Sequence, residues 1–502
     1  MVKIFNVSQI KKIDGCTVIN QGITSIDLME RASLAVAEKL IRFLDPDQCI
    51  LVFAGTGNNG GDALAIARIL LSRHFKLYVY IVAPDELFSD DCLVNKECLE
   101  RLTDVKLIKE NQDIPHIPED CIVIDGLFGS GLNRPLEGVY LDVVTVINAS
   151  HNKVYSVDMP SGMFVEDNAS NNPEGIIKAE KVFTFQFPKL SLLLPDSANY
   201  CKKMTVVNIG LCEKCIKEEE TDLFFIEKSD ATQLPIPRDN FSHKGTFGKA
   251  LLIAGSYGKM GAAVLSARAC LRTGVGLLTM HVPRCGVDIL QTAVPEAMVQ
   301  ADEFPENVSS VGDNIDQFAI GIGPGIGTDD KTKDLLSDLF DKYRKPMVID
   351  ADALNIIAGD ESLKEKIPSK SIITPHPVEF DRLMGGVSIN GYERLQKAGE
   401  FANRYDIYIV LKGAYSAIIT PERKVYFNST GNPGMATGGS GDVLTGMITS
   451  LLAQKYLPLN AAILGVYLHG LAGDLAAKSK SQQGMLPSDM IEYIGKAYRA
   501  LK

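Results

Sequence analysis

Tryptophan is absent from this 502-residue sequence, and histidine occurs only seven times. The histidines are too dispersed to build a zinc-type centre: His243 and His376 lie within motifs, and the others read as surface or packing residues. Excess positive charge is missing too. Fifty-one Lys and Arg against 62 Asp and Glu leave a net charge of −11, which argues against a nucleic-acid binder or a protein of anionic membrane surfaces. Any phosphate must therefore be caught by local geometry. No apolar run reaches the roughly 18 residues of a membrane span; the best candidate, around Ala461 to Ala477, is broken by His469 and Asp474. The opening segment MVKIFNVSQIKKID lacks the apolar core and cleavage site of a signal peptide. Ten cysteines scattered along the chain then read as reduced thiols in a cytoplasmic protein. The only C-x-x-C, Cys212–Cys215, has no second pair or nearby histidine and reads as chance rather than a zinc site.

What the chain does contain is apolar surface: 46% hydrophobic against 23% charged residues, enough for large packed cores. Its length predicts roughly two to four domains. Strand-like runs at 49–54, 77–82, 121–124 and 154–157 alternate with helical patterns such as 27–44 and 63–73. Short, nearly continuous β-rich runs between helices imply a parallel sheet buried on both faces, hence an α/β chain whose first part is a Rossmann-like three-layer sandwich. After a last strand at 204–209 the text turns charged, CEKCIKEEETD. This predicts a first domain over 1–212, a linker over 213–224 and a second α/β domain over 225–502. Strands are expected there at 250–254, 277–282, 318–322, 347–349, 371–374, 407–411 and 417–419.

Three strand ends in the first domain carry unusual chemistry. Ala54 is followed by Gly55-Thr56-Gly57-Asn58-Asn59-Gly60-Gly61-Asp62, before a helix expected from Ala63. Glycines let backbone N–H groups approach an anion at the positive end of a helix. The segment formally matches G-x-G-x-x-G, with Asp85 beyond the next strand, but paired asparagines are unusual for a dinucleotide fingerprint and suit sugar hydroxyls or a cation. Asp125-Gly126-Leu127-Phe128-Gly129-Ser130-Gly131-Leu132-Asn133-Arg134-Pro135 and Asp158-Met159-Pro160-Ser161-Gly162 follow two later strands. Carboxyl ends of parallel strands face one crevice, so Asn59, Asp125 and Asp158 can converge. Each aspartate alone also reads as a helix or turn cap.

NNGGD, DGLFGSGLNRP and VDMPSG in this order, with Gln9, Asp14 and Leu28-Met29-Glu30-Arg31-Ala32 before them, resemble the NAD(P)H-hydrate epimerase domain. The resemblance implies that Asn59, Asp125 and Ser161 hold K⁺. It also implies that Asn58, Asn59, Gly60, Gly61 and Asp62, with Gly129, Ser130, Gly131, Leu132, Asn133, Arg134, Pro135 and Asp158, bind the hydrated nicotinamide nucleotide. Oxygen-only ligands suit a hard cation better than zinc. Ala63 departs from the family's frequent glycine. On this reading Asp158 assists proton transfer as the hydroxyl at nicotinamide C6 leaves and returns on the other face.

Near the C-terminus Asn432-Pro433-Gly434-Met435-Ala436-Thr437-Gly438-Gly439-Ser440-Gly441-Asp442 leads into a helical run at 443–454. Four glycines permit sharp turns that aim consecutive N–H groups at one phosphoryl group, with Asp442 placed to take a proton from an attacking hydroxyl. The plainer reading is a glycine-rich loop capped by an aspartate. A Walker P-loop is missing, since Gly258-Lys259 precedes Met260 rather than Ser or Thr.

Gly-Gly-Ser-Gly-Asp resembles the ribokinase-like superfamily. The segments 240–248, 255–262, 321–327, 350–355 and 374–380 resemble its ADP-dependent NAD(P)H-hydrate dehydratase branch. This implies that Lys412, Gly413, Ala414, Tyr415 and Ser416, with Thr437, Gly438, Gly439, Ser440 and Gly441, bind ADP, and that Gly325, His376 and Asp442 contact the substrate. Val378 stands where the family commonly has glycine. His376 also reads as a turn histidine satisfied by backbone.

The combined resemblance, to the bifunctional NAD(P)H-hydrate repair enzymes, implies a metabolite-repair enzyme that is both an isomerase and a lyase. Its first domain epimerises the R and S hydrates of NADH and NADPH (NADHX and NADPHX). Its second dehydrates the S form with ADP, yielding NAD(P)H, AMP and phosphate, with help from Mg²⁺. A homo-oligomer is expected, with no nucleic-acid or membrane partner. The alternative is a ribokinase-like small-molecule kinase fused to a noncatalytic nucleotide-sensing domain; such a kinase releases a stable phosphomonoester and regenerates no reduced nicotinamide.

Overall fold

A computed structural model describes residues 1–502 and divides them into two compact units, Lys3–Thr221 and Asp222–Lys502 with Met1–Val2. In the first unit, seven strands form an all-parallel sheet: Ile50–Ala54 (β1), Leu77–Val82 (β2), Val105–Ile108 (β3), Ile122–Gly126 (β4), Lys153–Val157 (β5), Lys181–Phe185 (β6) and Met204–Val207 (β7). Their order is β3-β2-β1-β4-β5-β6-β7. Strand side chains alternate faces. Leu51, Phe53 and Val123 meet Val143, Val144 and Ile147 of the Gly138–Ala149 helix. The opposite face carries the Asn58–Ser72 helix, against which Ser25–Leu40 packs. The result is a three-layer sandwich with a topological switch point between β1 and β4, where open α/β sheets hold ligands.

The second unit is built on an eleven-stranded sheet, with the two-residue Val2–Lys3 strand at its edge. Its other strands are Leu223–Ile226 (β8), Lys249–Ile253 (β9), Leu277–Val282 (β10), Met298–Ala301 (β11), Ala319–Ile322 (β12), Val348–Ile349 (β13), Ile372–Ile373 (β14), Tyr408–Leu411 (β15), Ala417–Ile419 (β16) and Val425–Asn428 (β17). From β8 the order is β8-β17-β16-β15-β14-β13-β12-β9-β10-β11. β16 is antiparallel to both neighbours, and the run from β15 to β11 is parallel. Val348, Ile372, Val410 and Ile418 bury against Val443, Met447 and Leu451 of the Ser440–Ala453 helix and Leu464 and Leu468 of the Pro458–Lys480 helix. That second helix is long and apolar enough to cross a membrane by length and composition, but 72% of its apolar window is buried in this core.

Three expectations change. Cys16 and Cys215 are joined in a disulfide, with Cα atoms 6.1 Å apart and the other eight cysteines free, so the reading of ten reduced thiols is corrected. The bond ties the Val7–Gln21 helix to Glu213–Glu218, so the first half of the expected linker is folded onto the first unit. Both glycine-loop helices start early, at Asn58 rather than Ala63 and at Ser440 rather than Val443. Glycine's low helix propensity masks these first turns, which tertiary packing makes helical.

Candidate active sites

In the first unit the β1–β4 crevice is closed tightly by backbone. Gly55 N–H donates to the Gly126 carbonyl at 3.1 Å. A Cβ on Gly55 would lie 2.1 Å from the Leu127 carbonyl oxygen, and one on Gly60 1.9 Å from that of Gly55. The Ala63 methyl fills the space that a Cβ on Gly126 would need, at 2.3 Å, so alanine at 63 is accommodated by glycine opposite. Above these contacts the N–H groups of Asn58, Asn59 and Gly60, in the first helical turn, meet no acceptor, the arrangement by which a helix end can receive an anion. Gly60→Ala is expected to cost at least the ~1–3 kcal/mol of an overpacked core. Gly131→Ala, where nothing lies within 4 Å of the added carbon, should be tolerated; thermal unfolding of the two variants checks the contrast.

Asp125, the penultimate residue of β4, is fully buried, with four donors on its carboxylate. Ser161 Oγ (2.5 Å) and Leu127 N–H (3.3 Å) reach Oδ1, and Ser156 Oγ (2.7 Å) and Ser161 N–H (2.9 Å) reach Oδ2. Burial raises its proton affinity, opposed by these bonds. Ser161 Oγ also accepts the Phe128 N–H at 2.9 Å. The Asn59 side chain lies against Gly129, its Oδ1 2.9 Å from where a Cβ there would sit, and its Nδ2 is buried without a partner. Asp125 and Ser161 are thus directly bonded, and the Asn59 side chain lies against Gly129, next to the Phe128 whose N–H Ser161 accepts.

Asp158 has partners of its own and sits at a left-handed backbone position (φ 64°). Its Oδ1 takes Lys189 Nζ (2.7 Å) and Phe185 N–H (3.2 Å), while Oδ2 receives only Ser130 N–H (3.2 Å) from the 129–135 loop. Burial works to raise its pKa, but the charge and hydrogen bond of Lys189 with the two amides hold it below the ordinary carboxylate value. Lys189 is 1% exposed and donates also to Thr184 Oγ1 (2.9 Å) and the Phe185 carbonyl (3.0 Å). Sequence reading missed it. Around this pair lie two carboxyls shifted the other way from Asp158: Asp14, pushed up to about 6 by burial and by Asp158, and Asp62, raised by burial and by Asp158 and bonded to Ser33 Oγ. Gly131, Asn133 and Arg134 lie exposed on the loop, Leu132 and Pro135 are half-buried, and Asp85 is exposed.

In the second unit, adjacent parallel strands place Gly323 to Gly325 after β12, Asp350 after β13, Thr374 to His376 after β14 and Lys412 after β15 on one rim. Facing them is the N-terminus of the Ser440–Ala453 helix. Gly439 caps it at φ 98°, and the N–H groups of Gly438, Gly439, Gly441 and Asp442 meet no acceptor. Asp442 is half-buried in that first turn; burial, then Asp350, push its carboxyl up to about 7, with Lys412 opposing and Asp352 adding. Ser440 is fixed from behind, its carbonyl 2.9 Å from His469 Nε2, while Thr437 N–H turns back to the Met435 carbonyl.

Gly325 sits at φ 64°, its carbonyl held by Ser256 Oγ at 2.8 Å. His376 caps the Pro377–Leu383 helix: Nδ1 accepts the N–H groups of Val378 and Glu379 (3.2 and 3.3 Å), which leaves Nε2 to carry the proton. The backbone-satisfied reading of this histidine thus holds for one nitrogen, and the ring remains half exposed. Val378 has ordinary helical backbone, so no glycine is needed there. In the 412–416 loop Gly413 and Ala414 are exposed, Ser416 Oγ donates to the Gly413 carbonyl at 3.2 Å, and the Tyr415 ring lies 6.2 Å from that of Phe225.

The family model described as NAD(P)H-hydrate dehydratase matches residues 250–496, and that described as YjeF-related protein N-terminus matches residues 25–191. The bifunctional NAD(P)H-hydrate repair enzyme Nnr of Moorella thermoacetica is 36% identical over 96% of this chain and 93% of its own length. Its counterpart from Thermofilum pendens is 35% identical over 100% of this chain and 97% of its own. Among solved structures, the ADP/ATP-dependent NAD(P)H-hydrate dehydratase from Bacillus subtilis, co-crystallized with ATP and Mg²⁺, is 29% identical over 56% of this chain and 99% of its own, with a TM-score of 0.48.

Proposed function

Because the chain belongs to the family of bifunctional NAD(P)H-hydrate repair enzymes, we propose that its two units divide one repair: the first interconverts the hydrate epimers, and the second restores NAD(P)H. The observation that carries the second step is Asp442 in a helical turn whose amides at Gly438, Gly439, Gly441 and Asp442 are all free. Asp442 takes the proton of the C6 hydroxyl as that oxygen attacks the terminal phosphorus of ADP and AMP departs. The ring-nitrogen lone pair then expels phosphate, a better leaving group than hydroxide, and loss of a C5 proton restores the dihydropyridine. The free amides stabilise charge on the transferred phosphoryl group. Lys412 brings a cation to the same rim, and His376 Nε2–H and Gly325 face the substrate side. Mg²⁺, when bound with the nucleotide, supplies further charge neutralisation.

In the first unit Asp158 offers Oδ2 to the substrate while Oδ1 stays on Lys189. A carboxylate held ionised stabilises the cationic ring formed when the C6 hydroxyl departs as water with a proton from solvent, and accepts the proton of the water that adds back on either face. The Asn59–Asp125–Ser161 set fits K⁺. Its donors are oxygens, Ser161 Oγ keeps a lone pair after bonding Asp125 and Phe128, and the buried Asn59 amide lacks a partner that a flipped carbonyl oxygen would find in a cation.

Mixed epimers supplied with ADP test the division of labour. Wild-type protein should convert both to reduced cofactor. Asp158→Asn should lower R-to-S interconversion by about 10²–10⁴-fold and leave S-hydrate repair intact. Replacing K⁺ by a bulky organic cation should slow the same interconversion. Unchanged interconversion in Asp158→Asn removes that residue from the chemistry, and a stable phosphomonoester in place of reduced nicotinamide would make the second unit a kinase.

A further inference from the structure

We propose that Asp350 is a positioning residue of the dehydratase site: its carboxylate fixes Lys412 and Thr445 beneath the phosphoryl-binding turn and sets the charge against which Asp442 takes its proton. The inference rests on the reading of Asp442 as the base. Asp350 is 1% exposed, yet both its oxygens are spent on groups that lead to that turn. Oδ1 accepts from Lys412 Nζ at 3.0 Å, and Oδ2 from Thr445 Oγ1 at 2.6 Å. Thr445 stands one turn below Gly441 and also donates to its carbonyl at 3.2 Å. Gly441 is where these groups converge: a Cβ there would lie 3.3 Å from Lys412 Nζ and 3.6 Å from Asp350 Oδ2. The anion and its lysine thus sit directly under the residue that precedes Asp442.

The backbone at Asp350 is shaped for this task. Ala351, the next residue, has φ 49°, a left-handed conformation disfavoured for a residue with a side chain. Gly323 of the neighbouring strand end permits the close approach, since a Cβ there would lie 1.8 Å from the Asp350 carbonyl. Local strain of this kind persists only where the surroundings over-determine it, and it concentrates at working sites.

The charges facing Asp442 are few. Asp350 and Asp352 oppose its ionisation and Lys412 favours it. Beyond them, Glu379 lies 3.9 Å from Lys412 Nζ, His376 pairs with Glu379, and Lys259 pairs with Asp352 at 3.3 Å. His469, behind Ser440, is pushed down to about 4 by burial and stays neutral through the working range. Asp350 is the anion that opposes Asp442 most strongly, and its removal also frees the lysine, so both consequences pull Asp442 the same way.

The experiment is a ¹³C-carboxyl NMR titration of Asp442 in the full-length protein, alongside the pH profile of kcat/KM for ADP-dependent dehydration. In Asp350→Asn both midpoints should fall together by about one pH unit, the order of shift a near like charge imposes. The variant-to-wild-type rate ratio then rises about fivefold between pH 8 and pH 6. Asp350→Glu, which keeps the charge, should return the midpoint towards the wild-type value. The titration needs no substrate, so it reads the coupling even if Asp442 is not the base; that separate failure would appear as full dehydration in Asp442→Asn. Midpoints unmoved in Asp350→Asn overturn the proposal. If that variant does not fold, Asp350→Ser carries the same test, and loss of folding in both overturns it by showing that Asp350 serves the fold alone.

Discussion

Asp442→Ala is expected to lower ADP-dependent dehydration of the S hydrate by about 10²–10⁴-fold, the contribution of a positioned general base, while leaving epimerisation at the wild-type rate. The selectivity follows from placement, since Asp442 lies in the first turn of the Ser440–Ala453 helix of the second unit, and Asn59, Asp125, Asp158 and Ser161, the residues proposed for epimerisation, all belong to the first. The pH dependence gives the same residue a second signature. Burial and Asp350 push its carboxyl up to about 7, so the proton-accepting form is lost as pH falls through that value. Wild-type kcat/KM should therefore drop about tenfold per unit below it, on a limb that Asp442→Ala abolishes. Coupled recording of reduced nicotinamide and AMP across pH 5–9 measures both. Full activity in the alanine variant would leave the free amides without a base and the phosphoryl-transfer reading without its first step.

Much of this site was legible because its chemistry is carried by contiguous residues. Gly438 to Asp442 announces sharp turns, free amides and an acid in one stretch, and Asn58 to Asp62 does the same for the first crevice. What contiguity cannot carry is pairing across the fold. Lys189 meets Asp158 across 31 positions and Lys412 meets Asp350 across 62, through loops that only the strand order brings together. A lysine after Phe-Pro is not marked by any local pattern, and Asp350 stands in sequence only as the first residue of the 350–355 segment. Cys16 and Cys215, 199 positions apart, are invisible to spacing for the same reason. The core strands β1, β4 and β12 were evident as unbroken apolar runs. Val105–Ile108 and Met298–Ala301 escaped because they lie at sheet edges, where partial exposure admits Lys106 and Gln300 and blurs the pattern.

Lys189→Met should be the most damaging single change in the first unit, for a reason that separates stability from catalysis. Removing one partner of a buried ion pair typically costs about 3–5 kcal/mol, because the remaining charge is stranded. Here Asp158 Oδ1 would keep only Phe185 N–H and a long contact to Thr184 Oγ1 at 3.4 Å. The sign with pH follows. In the wild type the Asp158 pKa is lowered, so the pair stabilises the fold above the ordinary carboxylate range, and that stability is lost as pH falls through the lowered value. In the variant, burial without the lysine places the folded-state pKa above the ordinary value, so its deficit should widen as pH rises and narrow in acid. Hydrogen exchange over residues 153–193 of the full-length protein reads this locally, free of the second unit's own unfolding. The double variant Asp158→Asn with Lys189→Met removes both charges and should recover much of the lost protection without recovering epimerisation. Equal protection in the single and double variants would mean that the lysine acts by packing rather than by charge, and that Asp158 is held in place by the Ser130 and Phe185 amides alone.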